Sequence, residues 1–86
     1  MPNVEEVKLS VAASVEQTQR ALQTLRGVAD SFDEALTRLR FTAIGSAHPS
    51  IVDAIASLEQ ARARLDEAQS LAATAMSSAD NFRSMV

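Results

Sequence analysis

The residues of this chain that could take part in acid, base or metal chemistry are few and scattered. Its one histidine, His48, stands directly before Pro49. A general base needs a partner that orients it and a pocket that excludes water, and an exposed turn supplies neither, so His48 is read as a solvent-facing or capping residue. Acidic neighbours occur at Glu5 and Glu6, at Asp33 and Glu34, and at Asp66 and Glu67. On a helix such adjacent side chains diverge, whereas catalytic carboxylates must converge on one space, so these are read as a solvated face. A di-metal bundle would need core-facing glutamates with a glutamate and a histidine three apart, and no such pair is present. The chain has no cysteine, which excludes disulfides, thiolate nucleophiles and zinc sites built on thiolates.

Arginines 26, 38, 40, 62 and 64 could resemble an anion site. Asp30, Asp33, Glu34, Glu59, Asp66 and Glu67 lie close to them in sequence, and the reading is a salt-laced surface rather than a phosphate or nucleic-acid patch. Glycine-rich phosphate loops and serine nucleophile motifs are missing. No catalytic residue, cofactor or metal site is expected, and the chain is read as a non-enzyme.

What remains is architecture. From Val4 onward, apolar residues recur every seven positions: Val4, Val11, Leu25, Phe32 and Leu39, with Thr18 the one lapse. Val7, Ser14, Ala21, Val28 and Ala35 form a second series three places on, and Lys8, Val15, Leu22, Ala29 and Leu36 a third, four places on. That is one amphipathic helix, wider on its apolar side than a two-stranded seam requires. Asn3 can cap it, Glu5 and Glu6 suit its positive end, and Arg38 and Arg40 suit its carboxyl end. Glu16 with Arg20 and Glu34 with Arg38 are spaced to pair. Gly27 costs about 1 kcal/mol relative to alanine in a helix interior. Phe41 and Ile44 leave the stripe and are expected to fold over the hairpin end, with Gly45 a left-handed terminator.

The second helix is expected to open at Pro49 or Ser50, with Ser50 and Asp53 as a capping pair. Its seven-residue series runs Ile51, Leu58, Leu65, Ala72, Ala79 and Val86, beside Ala54, Ala61, Ala68, Ala75 and Phe82, and then Ile55, Arg62, Gln69, Met76 and Arg83. The fold expected is therefore all-α, a single domain over residues 1–86. It is an antiparallel two-helix hairpin with helices over about 4–42 and 50–84 and a turn over about 44–49 around Gly45, His48 and Pro49. Folding at Gly45 puts Leu39 opposite Ile51, Phe32 opposite Leu58, Leu25 opposite Leu65, Thr18 opposite Ala72 and Val11 opposite Ala79. Each rod should be about 50 to 55 Å long.

Large side chains gather near the turn, while beyond Ala68 the second helix is mostly alanine and serine, which contribute little buried area. An 86-residue chain that is 47% hydrophobic, much of it alanine and with three aromatic residues, is rich in helix and thin in core. A hairpin would leave Val15, Leu22, Leu36, Ile55 and Met76 partly unshielded, so a homodimer closing a coiled-coil four-helix bundle is expected. Leu22, Leu36, Ile55 and Leu65 would carry the contact, and a further helical protein could dock on the strip from Ala68 to Ala79. The core and interface residues named by this reading are Leu22, Leu25, Phe32, Leu36, Leu39, Ile51, Ile55, Leu58, Leu65, Ala72 and Met76.

Two long amphipathic runs about a central break resemble the small WXG-type substrates of type VII secretion. Of that family's turn motif, a tryptophan and a glycine two apart, only the glycine of Ala43, Ile44, Gly45 is matched. The tyrosine and downstream acid found in many members have no counterpart in Arg83, Ser84, Met85, Val86. The resemblance implies a dimerising helical hairpin and, as an alternative function, a small secreted substrate or chaperone-like partner of that export route. The alanine-rich texture is also similar to short uncharacterised helical proteins of high-GC Gram-positive bacteria.

The formal net charge of −3 and pI near 4.9, with acids and bases interleaved, argue against a nucleic-acid partner. A single lysine, Lys8, argues against an amphipathic helix lying on a membrane. The acidic start differs from a secretory signal, and no stretch approaches the ~20 apolar residues of a membrane span. Cytoplasmic residence is the expectation, with secretion lacking a cleavable signal peptide as the alternative.

Overall fold

A computed structural model describes residues 3–46 and 48–85. The described residues form two helices, α1 over Val4–Gly45 and α2 over Pro49–Met85, and they pack side by side as an antiparallel hairpin. Met1, Pro2, Ala47 and Val86, the last of which the spacing placed in the apolar series, lie outside the described residues. The molecule measures 63 × 20 × 15 Å. The 42 residues of α1 account for the long dimension at about 1.5 Å each, beyond the expected length because the helix continues past Arg40–Ala43.

The start of α1 is capped as the sequence suggests: the Glu6 backbone N–H donates to Asn3 Oδ1 at 2.8 Å, with Glu5 and Glu6 in the first turn. The other end differs. Gly45 is the last helical residue and has no positive φ; Ser46 follows in extended conformation, its N–H donating to the Ala43 carbonyl at 3.3 Å. No left-handed terminator is needed, because the chain leaves the helix through an extended residue that any side chain can adopt. Arg38 and Arg40 consequently stand before the last turn. Capping at the start of α2 belongs to His48 rather than Ser50. The His48 carbonyl accepts from Ile51 and Val52, and its Nδ1 accepts from the Ser50 N–H at 3.1 Å. Pro49, which has no N–H, takes the first helical position.

The seam between the helices follows a seven-residue repeat on both. In α1 it comprises the series Val11, Thr18, Leu25, Phe32, Leu39 and the series Lys8, Val15, Leu22, Ala29, Leu36; in α2 it comprises Ile51, Leu58, Leu65, Ala72, Ala79 and Ile55, Arg62, Gln69, Met76. Val15, Leu22, Ala29 and Leu36 are the buried core, with Leu36 only 4% exposed. This corrects the expectation that Val15, Leu22 and Leu36 would form a partly unshielded flank carrying a dimer contact. In α2 no described residue is fully buried, since its seam carries Arg62, Gln69 and alanines where α1 has larger apolar groups. Thr18 fits the seam because its hydroxyl donates to the Ser14 carbonyl of its own helix at 2.8 Å and needs no partner across it.

The register also differs from expectation. Phe32 and Leu58 do border one hollow, but toward the free ends Val15 and Thr18 lie beside Met76 and Ala79, where Val11 opposite Ala79 and Thr18 opposite Ala72 were expected. The fold point lies between Gly45 and Pro49 rather than at Gly45. Moving a hairpin's fold point by two residues displaces every facing pair by four, about one helical turn. The same extension leaves Phe41 and Ile44 on the outer side of a continuing helix, 75% and 83% exposed, instead of folded over the end.

Candidate functional site

Apart from Asp33 and Asp66, which share Arg62, the side chains weighed for acid, base or metal chemistry do not converge. His48 is exposed at the bend and its ring is engaged as the cap of α2. Glu5, Glu6, Asp33, Glu34, Asp66 and Glu67 are all exposed. Among the described residues no group of three or more histidine, cysteine, aspartate or glutamate side chains could hold a metal ion. Among the described residues no helix is long and apolar enough to cross a membrane.

The core residues read from the sequence do come together. Leu22 and Leu36 are buried and Leu25, Phe32, Leu39, Ile51, Ile55, Leu58, Leu65, Ala72 and Met76 half-buried, all along the one seam. Gly45, His48 and Pro49 are exposed at its closed end.

The ion pairs that cross between the helices lie on one flank of that seam. There Arg62 spans the helices, its Nε donating to Asp33 Oδ1 at 2.9 Å while another nitrogen donates to Asp66 on its own helix. Its stem occupies a seam position and its head reaches out to the edge, leaving the side chain 25% exposed. Hydrogen bonds to Asp33 first, and to Asp66 second, hold the guanidinium above its ordinary pKa. Arg40 bridges to Glu59 at 3.3 Å on the same side. Arg64 pairs with Glu67 and Arg83 with Asp80 within α2; the pairs Glu16–Arg20 and Glu34–Arg38 suggested by spacing do not form. The hollows on this side are bordered by charged and amide groups, among them Glu5, Lys8, Gln19, Arg26 and Asp80.

The opposite flank is different in kind. Val28, Ala35, Ala54, Ala61, Ala68 and Phe82 run along it, and the hollow bordered by Val28, Ser31, Phe32, Ala35 and Leu58 is almost wholly apolar. One polar defect lies in the seam itself: the side-chain amide nitrogen of Gln69 is enclosed without a hydrogen-bond partner. Sequence reading passed over Arg62 and Gln69 as structural elements, although their seven-residue spacing with Ile55 and Met76 was the available signal.

In comparisons with known proteins, the chain matches no family, no curated protein and no solved structure.

Proposed function

We propose that this chain is a non-enzymatic, self-associating helical module whose working unit is two copies joined as a four-helix bundle. The observation that carries the reading is surface. The hairpin exposes 6322 Å², whereas a compact monomer of its 9.2 kDa exposes roughly 4,900 Å². The excess, about 1,400 Å², is more than the ~800 Å² that each partner contributes to a stable interface. Outward-pointing acids, a histidine engaged in capping and shallow hollows support a binding role over a catalytic one.

Light scattering at micromolar concentration is expected to give the mass of two chains. A stable one-chain mass, accompanied by a single cooperative melt, would refute self-association.

A further inference from the structure

Resting on that self-association, we propose that the flank without cross-helix ion pairs is where the second copy seats, the same flank of each chain meeting about a two-fold axis. Symmetry makes the charge distribution decisive. In a two-fold interface each patch meets its own copy, so a flank bearing Asp33, Arg40, Glu59 and Asp66 would have to strip water from groups already engaged in pairs within one chain. The flank of Val28, Ala35, Ala54, Ala61 and Phe82 carries no cross-helix pair, and Arg38 and Arg64 stand at its outer margin, where their long side chains can stay in water.

Three of its polar residues are also prepared for burial. The hydroxyls of Ser14, Thr24 and Thr42 on that side donate to the Ser10, Arg20 and Arg38 carbonyls of their own helix at 3.0, 3.2 and 3.0 Å, so covering them leaves no unpaired donor. Phe32 and Leu58 stay half-buried because the seam opens toward this flank at the Val28 hollow, where an apolar group from a facing chain would complete their enclosure. Small side chains along α2 permit close helix approach, and the surface excess of the hairpin is ample for the contact.

The test compares two exposed alanines of α2, Ala68 on the proposed flank and Ala63 on the outer face. In sedimentation equilibrium, wild type and Ala63→Glu are expected at two-chain mass, and Ala68→Glu, with helix content retained, to dissociate with a Kd raised at least about tenfold. The chain has no cysteine, so a second readout is available should Ala68→Glu unfold. Maleimide labelling of Ala68→Cys should slow about tenfold as concentration rises through the Kd, and that of Ala63→Cys should not. Two-chain mass in all three proteins with unprotected Ala68→Cys would overturn the choice of flank while leaving self-association intact. Wild type at one-chain mass up to about 100 µM would overturn both.

Discussion

The half of the hairpin near the bend and the half near the free ends share a repeat but not a core. From Ala29 to Leu39 and from Ile51 to Leu65 the seam is built of leucine, isoleucine and phenylalanine beside Ala29 and Arg62, and both described cross-helix ion pairs, Arg62–Asp33 and Arg40–Glu59, fall there. Toward the free ends the α1 residues Val11, Val15 and Leu22 meet a stretch of α2 holding Gln69, Ala72, Met76 and Ala79, with an unpartnered amide and hollows on both sides. The same heptad pattern can therefore hold two helices together strongly or merely guide them, depending on how much apolar volume the repeat carries.

The largest effect expected is from Leu36→Ala, which should cost about 3 kcal/mol because the residue is 4% exposed in the half richer in large apolar side chains. Denaturant melts measure it, and a loss under about 1 kcal/mol would mean that the bend half is not the stable one. Leu22→Ala in the other half should cost less, about 1 to 2 kcal/mol, since Leu22 already borders a hollow shared with Met76 and water can enter the space it leaves. Equal losses at the two leucines would erase the distinction between halves.

Replacing Gln69 by leucine removes an enclosed donor and adds apolar volume, so stability should rise by about 1 kcal/mol. A fall would imply that the amide is partnered in solution. The smallest effect concerns the bend itself. An added Cβ at Gly45 meets nothing within 4 Å and the residue is helical, so Gly45→Ala should leave thermal melting unchanged or raise it by a few degrees. A clear drop would show that the glycine adopts a left-handed conformation.

The all-α hairpin was legible because strict spacing in two long runs, broken once by glycine and proline, admits few other arrangements. The position of the fold point was not. Gly45 permits a turn but does not demand one, and His48 can cap a helix through its ring without belonging to the usual capping set. Choosing the seam's second lane was equally underdetermined from α1 alone, where Val7–Ala35 and Lys8–Leu36 are both mostly apolar. The matching lane of α2, with Ile55 and Met76, decides it and brings Arg62 along. A residue read as surface charge thereby became the clasp that ties α2 to Asp33. With no convergent catalytic constellation among the described residues, the candidate site is a flank, and a flank becomes visible only once both helices are oriented.

One physical consequence follows from the slender outline of the hairpin. Its radius of gyration is 19.3 Å, against about 12 Å for a compact fold of this length. Such a particle meets more friction than a sphere of equal mass and will leave a gel-filtration column early, so a lone chain would masquerade as a pair. Diffusion alone therefore says little about how many chains travel together, and weighing the particle directly is the way to count them.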